Sequence, residues 1–363
     1  MAMADRIRIA IPRILWLTVI CAVAGAAYGY VSTTAGGGPG LYGIGRGAIS
    51  GAIIAGVLSS LDAFVLESRT GAPLGRAPFL LHLGVKSLVY LVVFLLGIAA
   101  GQWLLPIPSS PGVHIDRYDI LFCFAVGFAA NFLLAVDGLL GQNVLLSFVT
   151  GRYYRPHVEQ RVFLIIDLKD STAAAERLGE VGFHRLLNRF LGDLTEPIVT
   201  QKGEIHKYVG DEVIATWPLA RGLKDARCLR ACFTAIERLA DLGPSYEREF
   251  GQRVDFRAAL HCGPVVVGEM GTVKKEIALI GDTMNTAARI VDACRASGEA
   301  VIASAALLQQ MALAPGIAAR ALEPILLRGK KSPVELFALQ ATARDAGRVA
   351  RGVAPPVVTA ASS

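Results

Sequence analysis

No Cys-x-x-Cys pair occurs in the 363 residues. The six cysteines, Cys21, Cys123, Cys228, Cys232, Cys262 and Cys294, are scattered. Cys228 and Cys232 stand one helical turn apart, but no second Cys or His pair at matching spacing completes a metal site. Buried, reduced thiols of a cytosolic domain are the reading that remains. An aromatic-interleaved basic stretch, of the kind that binds single-stranded nucleic acid, is also missing. The net charge of +6 therefore points to no nucleic-acid partner, because many basic residues flank apolar segments, where membrane topology accounts for them. Charge is sparse across residues 14–150, whereas residues 151–345 carry the mixed charge of a globular domain. A hydrophobic fraction of 53% and a mean hydropathy of +0.49 are high for a purely soluble chain. A membrane half followed by a soluble half is the simplest division.

Four apolar stretches, 14–33, 47–66, 87–106 and 119–137, are each long enough to cross a bilayer, which takes about 20 helical residues. The first exceeds a signal-peptide core and is followed by further spans, so it reads as a span. Arg6, Arg8 and Arg13 precede span one; Arg69, Arg76 and Lys86 lie between spans two and three; Arg152, Arg155 and Arg161 follow span four. The remaining two loops carry little charge. The positive-inside rule then sets both ends of a multi-pass bundle in the cytoplasm of a cell with an inner membrane. Residues 1–137 form this four-span domain, embedded in the lipid bilayer. Small residues such as Gly25, Gly51 and Gly56 suit close helix packing in lipid. Nothing identifies a ligand, so any membrane or periplasmic signal is unknown. Residues 138–160 read as a helical linker, ended by Pro156.

The soluble half opens on Arg161-Val162-Phe163-Leu164-Ile165-Ile166-Asp167, a run expected of a strand buried on both faces and ending in an acid. Leu168-Lys169-Asp170-Ser171-Thr172 follows, with capping residues before a helical pattern from Ala173 to about Thr200. A carboxylate there can hold a divalent cation, and the free N–H groups of the helix start can hold phosphate. Glu204–Val209 and Val213–Trp217 read as a hairpin with Asp211 at its tip. Two carboxylates meeting at strand ends suit two magnesium ions about 3.5–4 Å apart. Val254–Cys262 and Val265–Met270 read as two strands joined at Gly263-Pro264. A helix then starts near Gly281, with Asn285 and Arg289 on one face. Leu326–Lys331 precede a last strand, Val334–Leu339.

Phe163–Thr172, the Lys207-Tyr208-Val209-Gly210-Asp211 hairpin and the run from Gly281-Asp282 through Asn285 to Arg289 resemble, in order and spacing, the class III adenylyl/guanylyl cyclases. The resemblance covers about residues 158–341. It implies an α+β, palm-like (ferredoxin-like) catalytic domain over 161–341, with 342–363 a flexible tail. It implies a homodimer with shared active sites and conversion of ATP to 3′,5′-cyclic AMP and pyrophosphate. Asp167 and Asp211 match the ligands of two Mg2+ (or Mn2+) ions per site. Asn285 matches the residue that orients the ribose, and Arg289 the one that neutralises charge on the α-phosphate. Lys330 matches a lysine on the β- and γ-phosphates, with Lys331 a rival. Leu168, Lys169, Asp170, Ser171 and Thr172 match the substrate-binding loop, and Lys207 the lysine that reads the purine. In the dimer the resemblance assigns Asp167 and Asp211 to one chain, and Lys207, Asn285, Arg289 and Lys330 to the other.

An ammonium only donates hydrogen bonds; adenine N1 accepts, whereas guanine N1 carries a proton. Lys207 therefore favours ATP. Adenylyl cyclases often carry an aspartate, sometimes a threonine, where this chain has Ala278, which leaves a guanylyl or mixed-specificity cyclase as the alternative. A catalytically silent membrane receptor is a second alternative, opposed by the presence of Asp167, Asp211, Asn285 and Arg289 together. The chain lacks the Gly-Gly-acid-acid-Phe loop of diguanylate cyclases. His184, His206 and His261 have no part in the implied chemistry; His206 alternates with Lys207 on its strand and reads as structural.

Overall fold

The computed structural model describes residues 3–61, 79–106, 115, 117–140, 144–324, 326 and 333–342. The chain forms two compact units, Met1–Leu139 and Leu140–Ser363. The expected tail beyond residue 342, and Lys330 and Lys331, lie outside the described residues.

The first unit contains helices α1 (Met3–Ala35), α2 (Gly40–Leu61), α3 (Phe79–Leu104) and α4 (Arg117–Leu140). Three stretches, Ile14–Ala35, Gly40–Leu61 and Leu83–Leu104, are long and apolar enough to cross a membrane by length and composition. Among the described residues α4 carries a shorter apolar stretch, Asp119–Leu133, so three spans meet this criterion where four were expected. The second span begins at Gly40, not at residue 47. Its glycines suggest a loop because glycine disfavours helix; in the structure they are where two backbones meet. A Cβ on Gly29 would stand 2.1 Å from the Gly43 carbonyl oxygen, and one on Gly47 1.8 Å from that of Gly25. Only hydrogen fits in that space, and close helix contact replaces the lost propensity.

The second unit runs α5 (Val144–Thr150), β1 (His157–Leu168), α6 (Ser171–Thr200), β2 (Glu204–Val209), β3 (Glu212–Pro218), α7 (Leu219–Leu223), a 3-10 turn (Lys224–Ala226), α8 (Arg227–Phe250), β4 (Phe256–Met270), β5 (Glu276–Ile280), α9 (Asp282–Ser297), β6 (Val301–Ser304), α10 (Ala305–Leu308), β7 (Ile317–Ala321) and β8 (Leu336–Ala341). The linker expected to be helical over 138–160 is already strand from His157, because β1 pairs with β4 from His157 opposite Val267 onward. The sheet order is β2-β3-β1-β4-β6-β8-β7, with β5 added to β4. Its first six main elements run β-α-β-β-α-β, the ferredoxin-like arrangement. The β4–β6 pair is parallel within an otherwise antiparallel sheet, which makes it mixed.

The apolar run of β1 is buried on both faces, as its composition requires. Val162, Leu164, Ile166 and Leu168 join one core with Leu186, Phe190 and Leu194 of α6 and Leu229 and Tyr246 of α8. Phe163 and Ile165 join the other, with Ala287, Ile290 and Val291 of α9. β1 is thereby fixed by helices above and below and by β3 and β4 at its sides. The described cysteines are all free, and Cys228, Cys232, Cys262 and Cys294 are buried.

Two expected strands are one. β4 runs unbroken through Gly263-Pro264. Beside it, β6 covers Ala258–Leu260 and β5 covers Val266–Met270. Pro264 falls between these partners, where a strand residue without an N–H costs no ladder bond on that side. Gly263 gives way to the start of α9: a Cβ there would lie 2.7 Å from Thr283 Oγ1, the hydroxyl that donates to the Pro264 carbonyl at 2.7 Å.

Gly263→Ala should therefore lower stability by about 1–3 kcal/mol, read as a fall in the thermal midpoint of the full-length protein. Gly192→Ala, on an exposed part of α6 with open space around it, should raise stability by up to about 1 kcal/mol.

Candidate active site

β1 delivers Asp167 to the edge of the core, opposite Glu212 of β3 on one side and Arg257 of β4 on the other. Asp167 is only 1% exposed. A carboxylate taken out of water needs a partner that returns what hydration supplied. Arg295, in the last turn of α9, does this with two bonds: Nη2 donates to Oδ1 at 2.7 Å and Nε to Oδ2 at 3.3 Å. Arg257 Nη1 stands 3.8 Å from Oδ2. The hairpin turn after β2 uses Gly210 at φ 61° and leaves Asp211 beside Glu212. The Glu212 carboxyl is pushed above the usual carboxylate range, first by burial and next by the like charge of Asp167; Arg295 opposes this and Asp211 adds to it. Glu212 therefore feels the charge of both Asp167 and Asp211 at this end of the sheet. Glu212 has one signal in the sequence, its place next to Asp211.

The donor chemistry fits a hard divalent cation. Carboxylate oxygens are what Mg2+ and Mn2+ take. Among the described residues no three acid, His or Cys side chains converge on one point, and Arg295 holds the Asp167 oxygens. Mg2+ in nucleotide sites commonly uses one or two carboxylates and draws its other ligands from substrate phosphate and water, so a full protein cage is not needed.

The loop after β1 is held by its neighbour. Leu168 is buried in the core, and Lys169 both donates its backbone N–H to the Asp255 carbonyl at 2.9 Å and pairs Nζ with Asp255 at 2.6 Å. Asp170 is left-handed, φ 55°, and caps α6 without a side-chain bond, so the capping expected of it falls to backbone alone. Ser171 and Thr172 open the helix, where unsatisfied N–H groups favour an anion. The helix is kinked at Gly179.

Among the described residues the other matched residues make no hydrogen bond or ion pair to this cluster. Asn285 is exposed and Arg289 half-buried on α9, whose opposite face packs through Thr286, Ile290 and Val291. Among the described residues, neither Asn285 nor Arg289 has a side-chain hydrogen bond or ion pair. Asn285 lies ten residues before Arg295, about 15 Å along the helix, away from Asp167. Lys207 sits four residues before Asp211 on β2, and its Nζ is 3.4 Å from Glu276 of β5. The strand β2 is bulged at His206: Ile205 faces Ala215 while Lys207 faces Ile214. The register therefore shifts by one residue between Ile205 and Lys207. An extra residue re-aims a strand at the bulge.

His206 is pushed down to about 4, first by burial and then by Lys207 and Arg161, against a smaller upward effect of Glu276. A histidine depressed in the folded state stabilises fully above its unfolded value, about 6.5. That contribution is lost as pH falls from there towards 4. His206→Gln should flatten the loss of thermal stability across this window relative to wild type, measured by thermal unfolding in a series of buffers.

Residues 154–341 match the family described as the adenylate and guanylate cyclase catalytic domain. The chain is 32% identical over 304 residues to adenylate cyclase 2 of Rhizobium meliloti (strain 1021), covering 82% of each protein. It is 23% identical over 184 residues to an adenylate cyclase of Anabaena cylindrica, covering 49% of this chain and 36% of that one. Among solved structures, a bacterial light-regulated adenylyl cyclase shares the fold, with a TM-score of 0.52 and 17% identity over 66% of this chain and 70% of that one. With its strand-tip carboxylates, its ferredoxin-like core and a family match over residues 154–341, the chain belongs to the class III adenylyl/guanylyl cyclases.

Proposed function

We propose that the protein is a membrane-anchored adenylyl cyclase that forms 3′,5′-cyclic AMP and pyrophosphate from ATP between two copies of itself. The observation that carries this reading is the carboxylate group of Asp167 and Asp211 at adjoining strand ends, in a chain 32% identical to a protein named adenylate cyclase 2. Asp167 and Asp211 would hold the divalent ions, Mg2+ or Mn2+, whose chemistry when bound is to neutralise the triphosphate and make the ribose 3′-hydroxyl more acidic. The N–H groups at the start of α6, at Ser171 and Thr172, receive phosphate oxygens. Asn285 orients the ribose, and Arg289 balances charge that grows on the α-phosphate as the 3′-oxygen attacks and pyrophosphate leaves. Lys330 serves the outer phosphates.

A dimer is part of this reading. In this reading a second copy supplies Asn285 and Arg289, which in one chain have no side-chain hydrogen bond or ion pair among the described residues. Lys207 and Glu276 set a donor beside an acceptor, which matches N1 and the 6-amino group of adenine. Glu276 thus offers the acceptor that Ala278 lacks. The membrane unit is read as four spans, with the apolar stretch of α4 as the fourth and both ends of the bundle on the cytoplasmic side; the catalytic domain is 161–341.

Purified full-length protein given ATP or GTP, with Mg2+ or Mn2+, tests the proposal. Cyclic AMP should form in preference, and Asp211→Ala should lower the rate by about 100-fold or more. Preferential cyclic GMP would overturn the choice of base. Equal turnover by Asp211→Ala and wild type would remove Asp211 from the chemistry.

A further inference from the structure

We infer that Arg295 is a resident counter-ion for Asp167, one that a divalent cation must displace, and that it thereby sets the metal affinity of the site. The inference rests on the reading of Asp167 as a metal ligand and adds a residue to it.

The two groups differ in freedom. Asp167 is immobile: it lies 1% exposed on a strand paired on both sides. The Arg295 side chain is 47% exposed and hangs from the last turn of α9. Both carboxylate oxygens of Asp167 accept from this one guanidinium. An ion and a guanidinium that holds both oxygens compete for the same lone pairs and repel each other by charge. Arg257, at 3.8 Å, lies beyond hydrogen-bond distance and does not replace either.

Arg295 also has somewhere to go. Its Nη1 donates to Asp292 at 3.2 Å, one turn back on the same helix, and its Nη2 is 3.9 Å from Glu212. Released from Asp167, it keeps an acid partner and stays at a helix C-terminus, where a cation is favoured. The arrangement serves two states. Without an ion, the buried carboxylate is paired and the sheet end is stable. With an ion, the pairing is exchanged and no charge is left bare. The exchange makes the ion's net affinity lower than that of the carboxylates alone.

Mn2+ binding to the purified full-length protein, without nucleotide and followed by the loss of the free-ion electron paramagnetic resonance signal, tests this. Arg295→Ala should bind Mn2+ about tenfold more tightly than wild type, the weight of one charge-assisted hydrogen bond. Arg295→Gln, which keeps a polar side chain without the charge, should also bind more tightly. Metal-free Arg295→Ala should melt lower than wild type and gain more from added Mn2+. Unchanged or weaker binding in both variants would overturn the inference. Asp167→Asn separates the two levels: if it binds Mn2+ as wild type does, the assignment of Asp167 itself is wrong. If it binds weakly and the Arg295 variants match wild type, only the role of Arg295 fails.

Discussion

A carboxylate buried to 1% exposure at the end of a doubly covered strand is the constraint around which the catalytic unit is arranged. Burying such a charge unpaired costs several kcal/mol, so the fold has to answer it. It does so with Arg295 from the far end of α9 and Arg257 from the adjacent strand. The position of α9 follows from the same requirement. Its first turn is seated over Gly263 and tied to Pro264 through Thr283. Its last turn brings Arg295 to Asp167. A helix pinned at both ends rests on the second core through Ala287, Ile290 and Val291 and carries Asn285 and Arg289 on its other face.

That geometry divides the chemistry. One end of the sheet carries the acids Asp167, Asp211 and Glu212. The outer face of α9 carries an amide and a guanidinium that are unengaged among the described residues. The strand β2 carries Lys207, paired with Glu276. Among the described residues none of these three sets is hydrogen-bonded or ion-paired to another, and the proposed site draws them together from two copies related by symmetry. Two-fold association supplies that twice over, because each copy offers both halves.

Much of this was legible in the sequence where one physical rule dominated. The run Val162–Ile166 could only be a strand buried on both faces, and the hairpin around Gly210-Asp211 had turn chemistry between two strand-like segments. Asn285 and Arg289, four apart, shared a helix face as spacing required. What was not legible depended on neighbours remote in sequence. Gly263-Pro264 looks like a turn until β5 and β6 are seen to leave a gap beside it. Gly40–Gly47 looks like a loop until α1 is seen to press against it. The His206 bulge shifts a strand that alternation alone would keep in phase. Arg295 is one basic residue in a helical segment, and nothing near it in sequence points to an acid 128 residues away.

Co-expression of two separately inactive full-length variants, Asp167→Asn and Asn285→Ala, tests most directly whether catalysis is shared between copies. A shared site predicts activity restored to about one quarter of wild type, because half of the dimers are mixed and each mixed dimer has one whole site of two. Activity no higher than either variant alone, in a preparation shown to contain mixed dimers, would contradict a site divided between chains.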